Sequence, residues 1–178
     1  MTLEQLAKQG RKKEVYTVTI NQNICNARKE FLKNSFVDCE HIKHRNEFVA
    51  MRGGVRYIND SAAKSISATW FSIENGNAPT VWVTLAGNED YDDMIPIVRQ
   101  YVKSIICIGD NSEPMQSALD CLVRDGIIRA DNMETAVKMA EEKAVSGYNV
   151  IFSPGCEAKG TDVVKMEKVF VKMAKEMI

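Results

Sequence analysis

The chain has no Cys-x-x-Cys pair and only two histidines, His41 and His44, among its 178 residues. Its five cysteines, Cys25, Cys39, Cys107, Cys121 and Cys156, are odd in number and stand apart. That pattern excludes a zinc-finger ligand set and a disulfide framework, so no metal ligand is expected. No apolar run approaches the ~20 residues that a membrane span requires. The opening MTLEQLAKQG has no apolar signal-peptide centre either. Both absences point to a cytoplasmic protein without a membrane partner. An excess of charge of one sign is also missing: 23 Lys and Arg face 24 Asp and Glu, a net charge of −1. The chain therefore carries no electrostatic footprint for nucleic acid, and the isolated Arg11-Lys12-Lys13 reads as a solvated helix end. Three motifs are absent as well. Without G-x-x-x-x-G-K-[ST] there is no phosphate cradle of that kind, without G-x-G-x-x-G a dinucleotide enzyme is disfavoured, and without G-x-S-x-G an α/β-hydrolase is excluded.

What is present is a core. Hydrophobic residues make up 45% of the chain, enough for one sizeable domain and too many for disorder. Residues 15–20 alternate polar and apolar side chains as a short strand does, and residues 21–33 read as a helix on Ile24, Ala27, Phe31 and Leu32. Residues 36–43 connect. From His44 the pattern sharpens. Residues 48–51 and 55–58 are strands flanking Gly53-Gly54, a hairpin signal. Residues 65–74 form a helix, and residues 80–85 an apolar, β-branched run that suits a strand buried on both faces. Helices follow at 92–102 and 113–123, strands at 104–108, 127–129 and 149–152. Asn132 can cap a helix that reaches residue 144, and residues 161–178 form an amphipathic terminal helix. Cys107, inside the apolar run 105–108, is a core residue. Strands alternating with helices at this spacing predict an α/β, Rossmann-like three-layer sandwich: a mainly parallel sheet with helices on both faces.

In such sheets ligands bind outside the carboxyl ends of the strands. Four loops qualify: residues 59–64, 86–90, 109–112 and 153–156. Each also has a purely structural reading. Asn59-Asp60-Ser61 can turn the chain and cap the next helix, or Asp60 can accept a ligand hydroxyl while the helix N-terminus faces an anion. Ala86-Gly87-Asn88 permits close backbone approach, and Ser153-Pro154-Gly155 is a rigid turn.

Taken in order, these segments resemble the C-terminal, glutamate ligase domain of the Mur ligase family, and within it the D-glutamate-adding members. His44-Arg45-Asn46-Glu47-Phe48-Val49 is similar to the family's His-Arg-x-Glu-x-Val. Gly54-Val55 is similar to its hairpin arm, and Asn59-Asp60-Ser61-Ala62-Ala63 to Asn-Asp-Ser-Lys-Ala-Thr-Asn. Residues 69–74 fit the following helix, Ala86-Gly87 a Gly-Gly, residues 132–137 a late helix start, and Ser153-Pro154-Gly155-Cys156 the pattern Ser-Pro-Ala-x-Ala-Ser. The resemblance spans residues 21–178. It implies a Rossmann-like third domain of three, in enzymes that join D-glutamate to a UDP-linked muramoyl-alanine through an acyl-phosphate made with ATP and magnesium. It makes residues 1–43 an appendage, the remnant of the lead-in from a missing central domain, and residues 44–178 the domain proper.

The resemblance assigns Arg45, Asn59 and Asp60 to nucleotide binding and Ser61, Lys64, Gly87, Asn88 and Ser153 to loops on the substrate side, with no catalytic residue in this chain. The departures are specific. Ala62 replaces a lysine, Lys64 a threonine and Ser65 an asparagine; Asn88-Glu89-Asp90-Tyr91 lacks the lysine that grips glutamate; Ala158 aligns with the serine that binds its carboxylate; residues 159–163 replace an aromatic and charged run. Each lost charge-assisted bond costs about 1.5–3 kcal/mol. The expected function is therefore that of a ligase domain without its ATP loop, inactive alone and holding neither ATP nor magnesium tightly. A separate central or N-terminal Mur ligase domain is its implied partner. The alternatives are a non-catalytic relic that binds a nucleotide weakly or a protein, and an unrelated Rossmann-like module whose loops match by chance.

Overall fold

The computed structural model describes residues 43–85, 87–109, 113–157 and 161–176. These belong to one compact unit that begins at His41. The expected strand at 15–20, the helix at 21–33 and the connection that follows, together with Ala86, residues 110–112 and residues 158–160, lie outside the described residues.

Six strands form one sheet. They are β1 (Glu47–Arg52), β2 (Val55–Asn59), β3 (Thr80–Leu85), β4 (Val102–Ile108), β5 (Ile127–Ala130) and β6 (Asn149–Phe152), in the spatial order β1-β2-β6-β3-β4-β5. β1 pairs antiparallel with β2, and every other pair is parallel. The fold is the α/β sandwich that alternation implies, with one antiparallel edge strand. The β1–β2 turn places Gly53 at φ 54° and Gly54 at φ 77°, the left-handed geometry that a tight hairpin needs and that L residues resist.

Helices cover both faces, because β3 is buried along its whole length and alternates its side chains between two cores. Val81, Val83 and Leu85 point to one side, with Ile106, Val150 and Phe152. That side is covered by α4 (Met133–Lys143), through Ala136, Val137 and Ala140, and by α5 (Thr161–Glu176), through Phe170 and Ala174. The Phe170 ring sits 5.7 Å from that of Phe152 and 6.4 Å from that of Tyr57. Trp82 points to the other side, with Ile58, Ile105, Cys107 and Ile151. Here the cover is α1 (Ile66–Gly76), α2 (Ile95–Tyr101) and α3 (Glu113–Leu119).

The expected Asn132 cap is made, its Oδ1 accepting from Thr135 N at 2.9 Å. The helix after β2 is capped by Ser65, whose Oγ accepts from Ala68 N at 3.3 Å, and not by Asn59, Asp60 or Ser61. Two helices differ in kind from the sequence expectation, each giving part of its length to a 3₁₀ turn. The helix expected at 92–102 is a 3₁₀ turn at Asp92–Met94 followed by α2, and it stops at Tyr101. Pro96 sits in the first turn of α2, where its missing N–H costs nothing. Val102 is drawn into the sheet opposite Thr80. The helix expected at 113–123 ends at Leu119, and Asp120 opens a 3₁₀ turn. The Asp120 carboxylate accepts the N–H of Ile127 at 2.8 Å and so ties this turn to the start of β5.

Candidate functional site

β2, β6, β3 and β4 run parallel, so their carboxyl ends share one edge of the sheet. The chain therefore leaves the sheet at that edge after Asn59, Phe152, Leu85 and Ile108, as the strand-end rule requires. At its centre is Asp60, wholly buried. Its backbone N–H continues the β2–β6 ladder by donating to Phe152 O at 2.8 Å.

The Asp60 carboxylate is saturated. Oδ1 lies 2.8 Å from Arg45 Nη1 and accepts the Asn46 N–H at 3.1 Å. Oδ2 accepts from Ser72 Oγ at 2.5 Å and Ser153 Oγ at 2.8 Å. Thr69 Oγ1 extends the chain to Ser153 Oγ at 2.7 Å. A carboxylate has about four lone-pair sites, so a ligand hydroxyl at Asp60 has to displace one of these donors. Burial pushes the Asp60 carboxyl above its ordinary value; Arg45, then Ser72, Ser153 and Asn46, pull it back down.

The loop at 153–156 is held just as firmly. Ser153 N donates to Val83 O at 3.0 Å, Trp82 Nε1 to Ser153 O at 2.9 Å, Thr84 Oγ1 to Pro154 O at 3.0 Å and Gly155 N to Ala63 O at 3.2 Å. Gly155 adopts φ 70°, and a Cβ there would stand 3.2 Å from Thr69 Oγ1 and 3.4 Å from Ile66 Cδ1. Gly155→Ala is accordingly expected to cost about 1–2 kcal/mol, read as a lower denaturation midpoint with an unchanged slope.

The residues singled out from sequence thus divide. Arg45, Asn59, Asp60, Ser61 and Ser153 converge; Asn59 Oδ1 accepts the Ser61 N–H at 3.2 Å, which forms the turn. Gly87 abuts the 153–156 loop, since a Cβ on it would lie 3.1 Å from Cys156 Cβ. Lys64 and Asn88 are exposed, outside the buried network. Glu89, Asp90, Asp92 and Asp93 are exposed as well, so this part of the edge presents carboxylates. Sequence reasoning missed Thr69, Ser72, Trp82 and Thr84. Their signal was available in part: Thr69 and Ser72 fall three apart on the stripe of α1 that also carries Ile66 and Ile73. The nearby thiols Cys107 and Cys156 are buried. Burial pushes Cys107 up to about 11, and it raises Cys156 too.

Against known proteins, no family profile matches the chain. A UDP-N-acetylmuramoylalanine–D-glutamate ligase from Christiangramia forsetii is 34% identical over 161 residues, which cover 88% of this chain and 36% of that protein. The chain thus spans about a third of the length of this relative. A domain solved from Haemophilus ducreyi, assigned to a ligase acting on UDP-N-acetylmuramate, superposes with a TM-score of 0.50 at 12% identity; the match covers 73% of this chain and 99% of that one. UDP-N-acetylmuramate–alanine ligase from Thermotoga maritima gives a TM-score of 0.53 at 10% identity over 76% of this chain and 30% of its own. The two structures carry the fold alone, and the sequence relative carries the lineage.

Proposed function

Since the chain is a C-terminal-type domain of the Mur ligase family, related to its D-glutamate-adding members, we propose that it serves as the amino-acid-side domain of a UDP-N-acetylmuramoylalanine–D-glutamate ligase. In this reading it works in bacterial peptidoglycan precursor synthesis in the cytoplasm, and these 178 residues are inactive by themselves. The observation that carries the reading is the 34% identity over 88% of the chain, with Arg45 and Asp60 side by side at the carboxyl edge of the sheet. Among the described residues no helix is long and apolar enough to cross a membrane.

ATP and magnesium belong to the family's reaction, and the residues at this edge do not fit tight binding of either. Asp60 already holds four donors, and the chain has no phosphate loop. The phosphate contacts and the metal then fall to a separate central domain, the partner this reading implies. What the chain itself supplies is a rigid edge on which Arg45 is held against Asp60. Positioning two substrates in one water-excluding site needs both halves.

One observation favours a second reading, a relic that binds a nucleotide weakly or a protein partner. Exposed Glu89, Asp90, Asp92 and Asp93 stand where the family offers a lysine to an anionic amino acid.

The chain alone, given UDP-N-acetylmuramoyl-alanine, D-glutamate, ATP and magnesium, is expected to release no ADP above a control without protein. Steady ADP release that survives repurification overturns inactivity. Adding the purified N-terminal and central domains of a D-glutamate-adding ligase separates the two readings. Restored product formation supports the ligase domain, and none with a folded chain leaves the relic.

A further inference from the structure

A second cluster lies beside the Asp60 network, built by three separate elements. His44 precedes β1 and holds φ 69°; Glu47 is the first residue of β1; Glu167 lies in the middle of α5. One ligand atom from each falls within 4.8 Å of the other two. His44 Nδ1 is 2.5 Å from Glu167 Oε1 and 3.9 Å from Glu47 Oε2.

Asn59 organises the two carboxylates from below. It is wholly buried, and its amide orientation is set by the Ser61 N–H donating to its Oδ1. Nδ2 must then face the glutamates, and it donates to Glu47 Oε2 at 3.2 Å and Glu167 Oε1 at 3.1 Å. Two carboxylates drawn this close repel each other, and a cation between them relieves that more fully than the shared amide donor does. A neutral imidazole with its lone pair on Nδ1 would add to the repulsion at Glu167. Nδ1 therefore carries either its hydrogen, as in the Nδ1–H tautomer that donates to Glu167, or a metal ion.

We propose that His44, Glu47 and Glu167 form a binding site for a divalent transition-metal ion of the zinc class, with Asn59 as the hydrogen-bonding support of both carboxylates. An imidazole with two carboxylates is a zinc-type donor set, whereas magnesium favours an all-oxygen octahedron. Ligand atoms around a tetrahedral zinc sit about 3.3 Å apart, given metal–ligand distances near 2.0 Å. The separations of 2.5 and 3.9 Å straddle that value and the third is within 4.8 Å, so side-chain shifts admit the ion. His44 and Glu47 are about half exposed and free to make them, while Glu167 at 15% is the anchor. The fourth position is left to water. The ion displaces any proton from Nδ1 and clips α5 to the β1–β2 hairpin, with its fourth position open. The expectation of no metal rested on histidine count and Cys-x-x-Cys spacing, and neither sees ligands more than a hundred positions apart. This site stands independently of the ligase reading.

Zinc chloride titrated into the whole chain by calorimetry is expected to bind one ion per chain and to raise the melting temperature. Cobalt(II) in its place should give visible d–d bands without a thiolate charge-transfer band. His44→Ala and Glu167→Gln should each weaken zinc at least about tenfold, while both still melt cooperatively without metal. If His44→Ala does not fold, Glu47→Gln and Glu167→Gln carry the test. No stoichiometric zinc, a thiolate band, or undiminished zinc binding in the folded variants overturns the proposal.

Discussion

Asp60→Ala is expected to destabilise the domain by about 3–5 kcal/mol, read by urea or guanidinium unfolding at neutral pH. Asp60 and Arg45 are 0% and 9% exposed, and their atoms are 2.8 Å apart. Truncating the acid removes the buried carboxylate that faces the guanidinium. It also takes the acceptor from Ser72 Oγ, Ser153 Oγ and the Asn46 N–H. A double-mutant cycle isolates the ion pair. Arg45→Met should be costly in the native chain and clearly less costly in the Asp60→Ala background. An equal cost of Arg45→Met in both backgrounds would show that the pair is not coupled. The pH dependence has a defined sign. Burial raises the Asp60 carboxyl above its ordinary 3.8, so the stability linked to it is fully present below that value. It is lost as pH rises through the folded-state value. The advantage of native chain over Asp60→Asn should therefore shrink across that window.

Trp82→Ala is the second large effect, also about 3–5 kcal/mol. Trp82 is completely buried at the centre of β3, opposite Ile105 on one side and Ile151 on the other. Its ring fills the core shared with Ile66, Ile73, Met94 and Ile97. Its indole N–H is the donor to Ser153 O, so the substitution opens a cavity and loosens the 153–156 loop together. Hydrogen exchange separates the two contributions. Trp82→Phe retains most of the apolar volume and should cost about 1–3 kcal/mol through the orphaned carbonyl. The amides of Ser153 and Gly155 should lose protection in both variants, but much of the rest of the sheet only in Trp82→Ala. Unchanged protection at Ser153 in Trp82→Phe would mean that the indole bond does not hold the loop.

These two residues mark where local reading worked and where it stopped. Residues 80–85 were legible as a strand buried on both faces, because six apolar or β-branched residues in a row leave no polar face. That Trp82 anchors the loop after β6 was not legible, since the two positions are 71 residues apart. Asp60 was legible as a strand-end residue between turn formers. Its saturation by Ser72 and Ser153, 12 and 93 positions away, was not. Helix ends failed for a related reason: Val102 and Asp120 were claimed by partners in the sheet, and propensity yields to such contacts.

From its sequence alone this protein was an α/β domain with a Gly53-Gly54 hairpin, a cap at Asn132, and chemistry at strand ends. Each of these follows from forces that act over a few residues: steric limits on φ, orphan N–H groups at helix starts, and hydrophobic period. Only the tertiary structure decided that Asp60 spends its hydrogen-bonding capacity on Arg45, Asn46, Ser72 and Ser153, and that His44, Glu47 and Glu167 meet over Asn59. Those meetings depend on which strands become neighbours. Strand order β1-β2-β6-β3-β4-β5 brings β6 beside β2, and with it the loop after β6 to Asp60.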